Sequence, residues 1–143
     1  AHELFHKIDH TYSISRSGIL TNVIQKDYRG LQHTSKIYGI SIENMLYLKY
    51  TYIFRKENRV KEPYRGISDI LHGMSKGKIF LGYGHIQENY WDKPFKVEKE
   101  TWAQYGRMIY MQNEDVWIVT NNIFPNITEQ INVILKNFEE ELK

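Results

Sequence analysis

The first residues of the chain carry two histidines with the spacing of a metal site. In the sequence His2-Glu3-Leu4-Phe5-His6 the histidines are four positions apart, and residues four apart lie on one face of an α-helix. Two imidazoles placed in this way can bind one zinc ion, and Glu3 then lies beside the water molecule that such an ion activates. The motif therefore predicts an opening helix with two metal ligands, His2 and His6, and a general base, Glu3.

The composition limits what else can form such a site. Cysteine is absent from the 143 residues, which excludes disulfides, thiolate ligands and a cysteine nucleophile, so any metal must be held by His, Asp or Glu. A hydrophobic content of 41% and an aromatic content of 14% are typical of a globular domain. The net charge of +2, without a basic run, indicates no nucleic-acid interface, and no apolar stretch is long enough to predict a membrane span.

Hydrophobic periodicity and capping residues predict a mainly α-helical α+β domain with little strand. The one predicted strand covers residues 79–81, Ser41 is the predicted N-cap of the third helix, and Asn126 with Glu129 resembles a capping box for the last helix. Helices are predicted over residues 1–11, 19–38, 41–54, 67–74 and 98–112, then a short one to about 121, and a last one to 142.

The position of the motif also bears on domain organisation. The chain has no initiator Met and its motif opens at residue 2, where a helix end is usually frayed. We therefore expect a single domain over residues 1–143 that is the C-terminal part of a longer polypeptide, with strands of the same domain lying upstream.

A third metal ligand must come from elsewhere in the chain. Glu100 opens a segment whose Trp102 suggests burial, and a buried carboxylate needs a partner. Glu98 is an equal competitor, and a helix N-terminus favours a Glu in any case. Asp9 lies one turn after His6 and could accept the second ring N–H of a ligand histidine.

Several segments of the chain together resemble one known protein family. Residues 2–9 are similar to an HExxHxxD helix. Residues 67–91, with Gly82-Tyr83-Gly84-His85, resemble a block written sDi…GkI…GYGH…YW, and residues 99–104 are similar to a KExFAE helix. The Phe124-Pro125 pair resembles a yFP ending, whereas residues 11–66 match only in helical character. With these segments the chain resembles the gluzincin peptidase domains of phage minor head (head morphogenesis) proteins, which are related to anthrax lethal factor.

This resemblance implies a zincin-like fold and a set of site residues. It implies Zn²⁺ bound by His2, His6 and Glu100, with Glu3 as the general base and Tyr83 as the hydroxyl that stabilises the oxyanion. The family's second Glu of the KExFAE helix is Gln104 here, and an amide orients a histidine ligand less strongly than a carboxylate does. His85 is then a loop residue that closes a hydrogen bond or, less simply, a fourth ligand.

The same resemblance implies a setting. It indicates a zinc metallopeptidase of the phage virion or the host cytoplasm, which cleaves a protein or peptide and contacts other head or neck proteins. One alternative is a catalytically weak or inactive zincin-fold module that serves virion assembly. Another is a secreted toxin peptidase of the lethal-factor type.

Overall fold

Helices make up most of the described part of the chain, which confirms the prediction of a mainly helical domain. The computed structural model describes the backbone of residues 2–55 and 59–141, and the side chains in these ranges except at positions 2–4, 11, 55 and 141. The α-helices are α1 (His2–Tyr12), α2 (Ile19–Tyr38), α3 (Ile42–Lys49), α4 (Arg65–Met74), α5 (Lys96–Met111), α6 (Glu114–Ile123) and α7 (Pro125–Glu141). None of the described helices is long and apolar enough to cross a membrane.

Strand is confined, within the described ranges, to one short antiparallel pair. Strand β1 (Phe54–Arg55) pairs with β2 (Arg59–Val60), and Phe54 lies opposite Val60. The strand predicted at residues 79–81 is wrong, because this segment pairs with no other strand. Its apolar side chains, Ile79 and Leu81, are buried in the core instead, so their run reflects burial in a loop.

The helix boundaries follow local signals where such signals exist. Helix α2 has its predicted bounds and is capped by Gly39, whose φ of 67° is left-handed, a conformation that glycine adopts without steric cost. Ser41 caps α3 as predicted and accepts a hydrogen bond from the Asn44 N–H at 3.0 Å. Helix α3 ends at Lys49, before the predicted end at 54, because the chain then turns into β1.

The cap of α7 comes from a distant helix. The buried carboxylate of Asp27, on α2, accepts hydrogen bonds from the backbone N–H and side-chain amide of Asn126 and from the Ile127 N–H. Helix α7 begins at Pro125, a residue suited to the first helical position. The predicted capping box of Asn126 with Glu129 is therefore wrong, and Asp27 joins α2 to α7 at this point.

Helices α4 and α5 are largely buried and pack on each other, and α1 packs against α5. The Phe5 ring lies 4.6 Å from the Trp102 ring, and the Trp102 indole N–H donates to the Phe5 carbonyl at 2.8 Å. A Cβ at Gly106 would lie 2.1 Å from the Phe5 ring, so the glycine is what allows α1 to come this close. This packing holds α1 against residues 100–106 of α5.

Candidate metal centre

The contact between α1 and α5 brings two predicted ligands together. The His6 Nε2 lies 3.8 Å from the Glu100 Oε1, and Glu100 is buried, with 6% of its surface exposed. The same oxygen accepts a hydrogen bond from the Tyr90 hydroxyl at 3.1 Å and lies 3.9 Å from the Lys96 Nζ. Glu100 is thus a buried carboxylate surrounded by a histidine, a phenol and an ammonium group.

Glu100 also belongs to a cluster that could hold a metal ion. One candidate ligand atom each from Asp69, His85 and Glu100 lies within 4.8 Å of the others, and both carboxylates are buried. Helix α4 supplies Asp69, the loop before Tyr90 supplies His85, and α5 supplies Glu100. Two buried carboxylates this close repel each other unless positive charge compensates them, and a cation bound among them would do so.

Asp69 is held by partners on both oxygens. Its Oδ1 lies 2.8 Å from the His85 Nδ1, and its Oδ2 accepts from the Gln104 amide at 3.0 Å. Burial raises the pKa of the Asp69 carboxyl, while the nearby His85 and the hydrogen bond from Gln104 oppose that rise. The carboxylate therefore orients the His85 ring, as carboxylates behind metal-binding histidines commonly do.

Tyr90 lies beside the cluster and contacts two of its members, His85 and Glu100. Its ring stacks on the His85 ring at 4.1 Å between centroids, with the planes 2° apart. Burial, followed by the Glu100 carboxylate, raises the pKa of the Tyr90 phenol well above its ordinary value. The phenol consequently keeps its proton near neutral pH and remains a hydrogen-bond donor.

Three predicted site residues on α1 and α5 remain: His2, Glu3 and Glu98. The side chains of His2 and Glu3 are not among the described residues, although both positions belong to the first turn of α1. Glu98, the competitor of Glu100, accepts a hydrogen bond from the Thr21 hydroxyl at 2.9 Å. The structure thus places Glu100 in the cluster and directs Glu98 toward α2.

The two residues predicted to support the ligands, Asp9 and Gln104, both have hydrogen-bond partners in the structure. The Asp9 carboxylate accepts from the Ser15 N–H at 2.5 Å and from the Ser15 hydroxyl at 2.6 Å, which anchors the turn after α1. Gln104 orients a carboxylate, Asp69, where the sequence suggested that it orients a histidine. An amide N–H suits this position because a Glu there would face Asp69 with like charge.

The Gly82-Tyr83-Gly84-His85 segment is fixed on α4. The Ser68 hydroxyl donates to the Tyr83 carbonyl at 2.7 Å and accepts from the Tyr83 N–H at 3.2 Å. Tyr83 is 37% exposed, and the centre of its ring lies 5.5 Å from the Arg65 guanidinium. The tyrosine whose hydroxyl contacts Glu100 is Tyr90. His85 lies in the loop and makes a hydrogen bond to Asp69, which is the first of the two roles predicted for it.

Sequence reasoning missed two residues of the cluster, Asp69 and Tyr90. Asp69 lies in α4 between Ile67 and Ile70, and a charged residue within an apolar helix is a signal that could have been used. Tyr90 is one of 11 tyrosines and carries no such chemical signal of its own. Both residues do lie in the block over residues 67–91, as the D of sDi and the Y of YW, and this position is the signal that could have found them.

Comparison with known proteins gives this arrangement no family name. No protein-family model, no curated protein and no solved structure matches the chain.

Proposed function

We propose that the chain is a zincin-like peptidase domain that hydrolyses peptide bonds at a zinc ion held by His2, His6 and Glu100. The observation that carries the proposal is the 3.8 Å approach of the His6 Nε2 to the buried Glu100 Oε1. This approach joins the His-Glu-x-x-His helix to a carboxylate on a second helix, the donor set that catalytic zinc uses.

The residues present fit a zinc ion by their chemistry. Imidazole and carboxylate are its usual ligands in a chain without cysteine, and Glu100 is a buried carboxylate that gains a compensating charge from a cation. When bound, zinc supplies Lewis-acid activation of water and of the peptide carbonyl. In this proposal Glu3 accepts the proton of the attacking water and later transfers it to the leaving amine.

The chain's own groups divide the remaining tasks. The Tyr90 hydroxyl, which donates to Glu100 at 3.1 Å, positions that carboxylate. Tyr83 is the exposed phenol of the loop and is proposed to donate to the oxyanion, while the Asp69–His85 pair supports the wall beside Glu100. A donor aimed at developing negative charge contributes on the order of 10²–10³ in rate when correctly placed.

Incubation of the zinc-loaded protein with a denatured protein substrate tests this activity. We expect cleavage by the wild-type protein and a loss on the order of 10²–10⁴ in kcat/KM for Glu3→Gln, because general-base catalysis has that magnitude. Zinc content should remain unchanged in the variant. Equal cleavage by the wild-type protein and Glu3→Gln would eliminate the proposed mechanism.

A structural module is the second candidate, and the Asp69–His85–Glu100 cluster favours it. A metal ion in that cluster would join α4, α5 and the intervening loop without any contribution from Glu3. In that case His85→Ala removes the bound metal and destabilises the fold, whereas His6→Ala does not. Loss of zinc from His6→Ala with retention by His85→Ala supports the peptidase site instead.

The proposed setting is the phage virion, with other head or neck proteins as partners, in the virion or the host cytoplasm. It is supported by the resemblance of residues 67–91 to phage minor head proteins. Mass spectrometry of purified virions tests it, and absence of the chain from the particles would favour the alternative of a secreted toxin peptidase.

A further inference from the structure

A cavity of about 250 Å³ lies between α1, the turn that follows α1, and Lys99 on α5. The described residues that line it are all polar or charged. His6 is one of them, so the cavity adjoins the candidate metal centre, where the His6 Nε2 lies 3.8 Å from the Glu100 Oε1. Polar groups in a pocket select and orient the polar groups of a ligand, so this lining favours a charged or strongly polar one.

Two basic side chains in the lining have no acidic partner. The Arg16 guanidinium and the Lys99 ammonium make no ion pair or hydrogen bond within the described part of the chain. Arg16 is exposed at the rim, whereas Lys99 is half-buried. Two cations that share a concave surface without a carboxylate between them attract an anion from solution.

The acidic side chain of the described lining is already engaged. Both oxygens of the Asp9 carboxylate accept hydrogen bonds from Ser15, one from its N–H and one from its hydroxyl, and both residues are buried. Glu98 and Glu100 on α5 do not line the cavity, and Glu98 accepts a hydrogen bond from Thr21. The lining therefore keeps a net positive charge.

The turn after α1 is fixed before any ligand binds. The Ser13 N–H donates to the Asp9 carbonyl at 2.6 Å, and the Arg16 N–H donates to the Ser13 carbonyl at 3.2 Å. Ser13 has a φ of 55°, in the left-handed region that residues with a Cβ seldom adopt. Together with the bonds between Asp9 and Ser15, these contacts hold the backbone that carries Arg16. A preformed site loses less conformational freedom when a ligand binds.

We propose that this cavity binds an oxyanion group, a phosphate or a carboxylate, held by Arg16 and Lys99. A guanidinium presents a planar fork that can pair with two oxygens of such a group, and an ammonium adds a compact charge. The Ser13 hydroxyl and a ring N–H of the exposed His10, which also line the cavity, are further donors. The proposal goes beyond the peptidase function, because the site requires neither zinc nor cleavage.

Titration with inorganic phosphate, at an ionic strength kept constant with sodium chloride, tests the site. The backbone amide resonances of Ser13 and Arg16 should shift until the site is saturated. The amide resonance of Gly39, which follows the far end of α2, should not move and serves as the internal reference. The titration is run on zinc-free and on zinc-loaded protein, because phosphate can bind a metal ion directly. A response confined to the zinc-loaded protein would overturn the proposal.

Two neutral variants locate the anion. Arg16→Gln and Lys99→Gln should each weaken phosphate binding about tenfold, the effect of losing one charge-assisted hydrogen bond, while zinc content stays unchanged. Lys36→Gln is the matched control, since it removes an exposed charge about 25 Å along α2 from the start of that helix. Unchanged affinity in both cavity variants, or an equal loss in Lys36→Gln, would overturn the proposal.

Two further probes distinguish a phosphoryl ligand from a peptide carboxylate. N-acetylglycine carries a carboxylate, and N-acetylglycinamide is its neutral counterpart. Tighter binding of phosphate than of N-acetylglycine assigns the site to a phosphoryl group, whereas the reverse order assigns it to the carboxylate of a peptide, and both results support an oxyanion site. Binding of N-acetylglycinamide as tightly as N-acetylglycine would show that the charge is not recognised and would overturn the proposal.

Discussion

At Gln104 one amide group determines how the buried charge of the cluster is arranged. Its Nε2 donates to Asp69, whereas its Oε1 is buried without a hydrogen-bond partner among the described residues. Only the N–H side of the Gln104 amide is used, and it donates to the Asp69 carboxylate. Burial already raises the pKa of that carboxyl group. The residue is therefore matched to Asp69, which sequence comparison with the KExFAE helix alone does not reveal.

Replacing Gln104 with Glu should destabilise the metal-free protein by roughly 1–3 kcal/mol at pH 7, because a hydrogen bond is lost and a second buried carboxylate faces Asp69. The second charge raises the pKa of the Asp69 carboxyl further, so the folded form binds a proton more readily than the unfolded chain. The loss should then shrink at pH 5. Urea denaturation at both pH values measures this, with Gln32→Glu on the exposed side of α2 as control. A loss that grows toward pH 5 would contradict the account.

His72 gives a second pH-dependent effect. Burial lowers the pKa of His72 below 6.5. Asp69 raises this pKa and His85 lowers it, and both effects are smaller than that of burial. Below about pH 6.5 the unfolded chain binds a proton at this position that the folded form does not, so stability falls as pH decreases. His72→Asn, which keeps an acceptor for Trp91, should reduce this fall relative to the wild-type protein. The exposed His33→Asn should not, and an equal slope in all three proteins would exclude His72 as the source.

At the scale of elements, the position of α1 depends on close packing against α5. The Phe5 ring occupies the space over Gly106, and the Trp102 indole is bonded to the Phe5 carbonyl. This contact, more than any feature of α1 alone, determines that His6 lies near Glu100. Gly106 thus sets the position of α1 relative to α5.

Gly106→Ala should move α1 away from α5 and lower stability by about 1–3 kcal/mol, the usual cost of an overpacked core. Zinc affinity should fall with it, because the distance between His6 and Glu100 increases. Gly30→Ala in α2 is the matched control, since nothing lies within 4 Å of its added Cβ. It should stabilise the protein by about 0.5–1 kcal/mol. A neutral Gly106→Ala with full zinc affinity would contradict this role.

The elements show which parts of the fold were predictable from sequence. The bounds of α2 and the start of α3 depend on local signals, Gly39 and Ser41, and were predicted. The start of α7 was not, because its cap is Asp27, a residue that only the tertiary fold brings there. The buried segment at residues 79–81 was mistaken for a strand because a short apolar run indicates burial without specifying sheet pairing.

The candidate site divides in the same way. The local spacing of His2 and His6 could be recognised, and Glu100 was named together with Glu98 as an equal candidate. The choice between these two required α2, whose Thr21 engages Glu98. The contributions of Asp69 and Tyr90 depend on contacts between α4, a loop and α5, which no spacing in the sequence encodes.

At the scale of the whole molecule, the proposed metal would join α1 to α5. A ligand that binds only the folded form stabilises it, by about 2.7 kcal/mol at a free concentration 100 times its Kd. Zinc should therefore raise the midpoint of thermal unfolding of the wild-type protein, and a chelator should reverse the shift. His6→Ala should show little or none of this response. An undiminished shift in His6→Ala would place the metal elsewhere, and the Asp69–His85–Glu100 cluster would be the first candidate.

Metal analysis of the purified protein and two variants of α5 tests the central claim most directly. Glu100→Gln removes the buried carboxylate of the cluster, whereas Glu98→Gln leaves an acceptor for Thr21 on the same helix. We expect equimolar zinc in the wild-type protein and in Glu98→Gln, and loss of zinc in Glu100→Gln. Absence of zinc from the wild-type protein after loading, or full zinc in Glu100→Gln, would contradict a metal centre between α1 and α5.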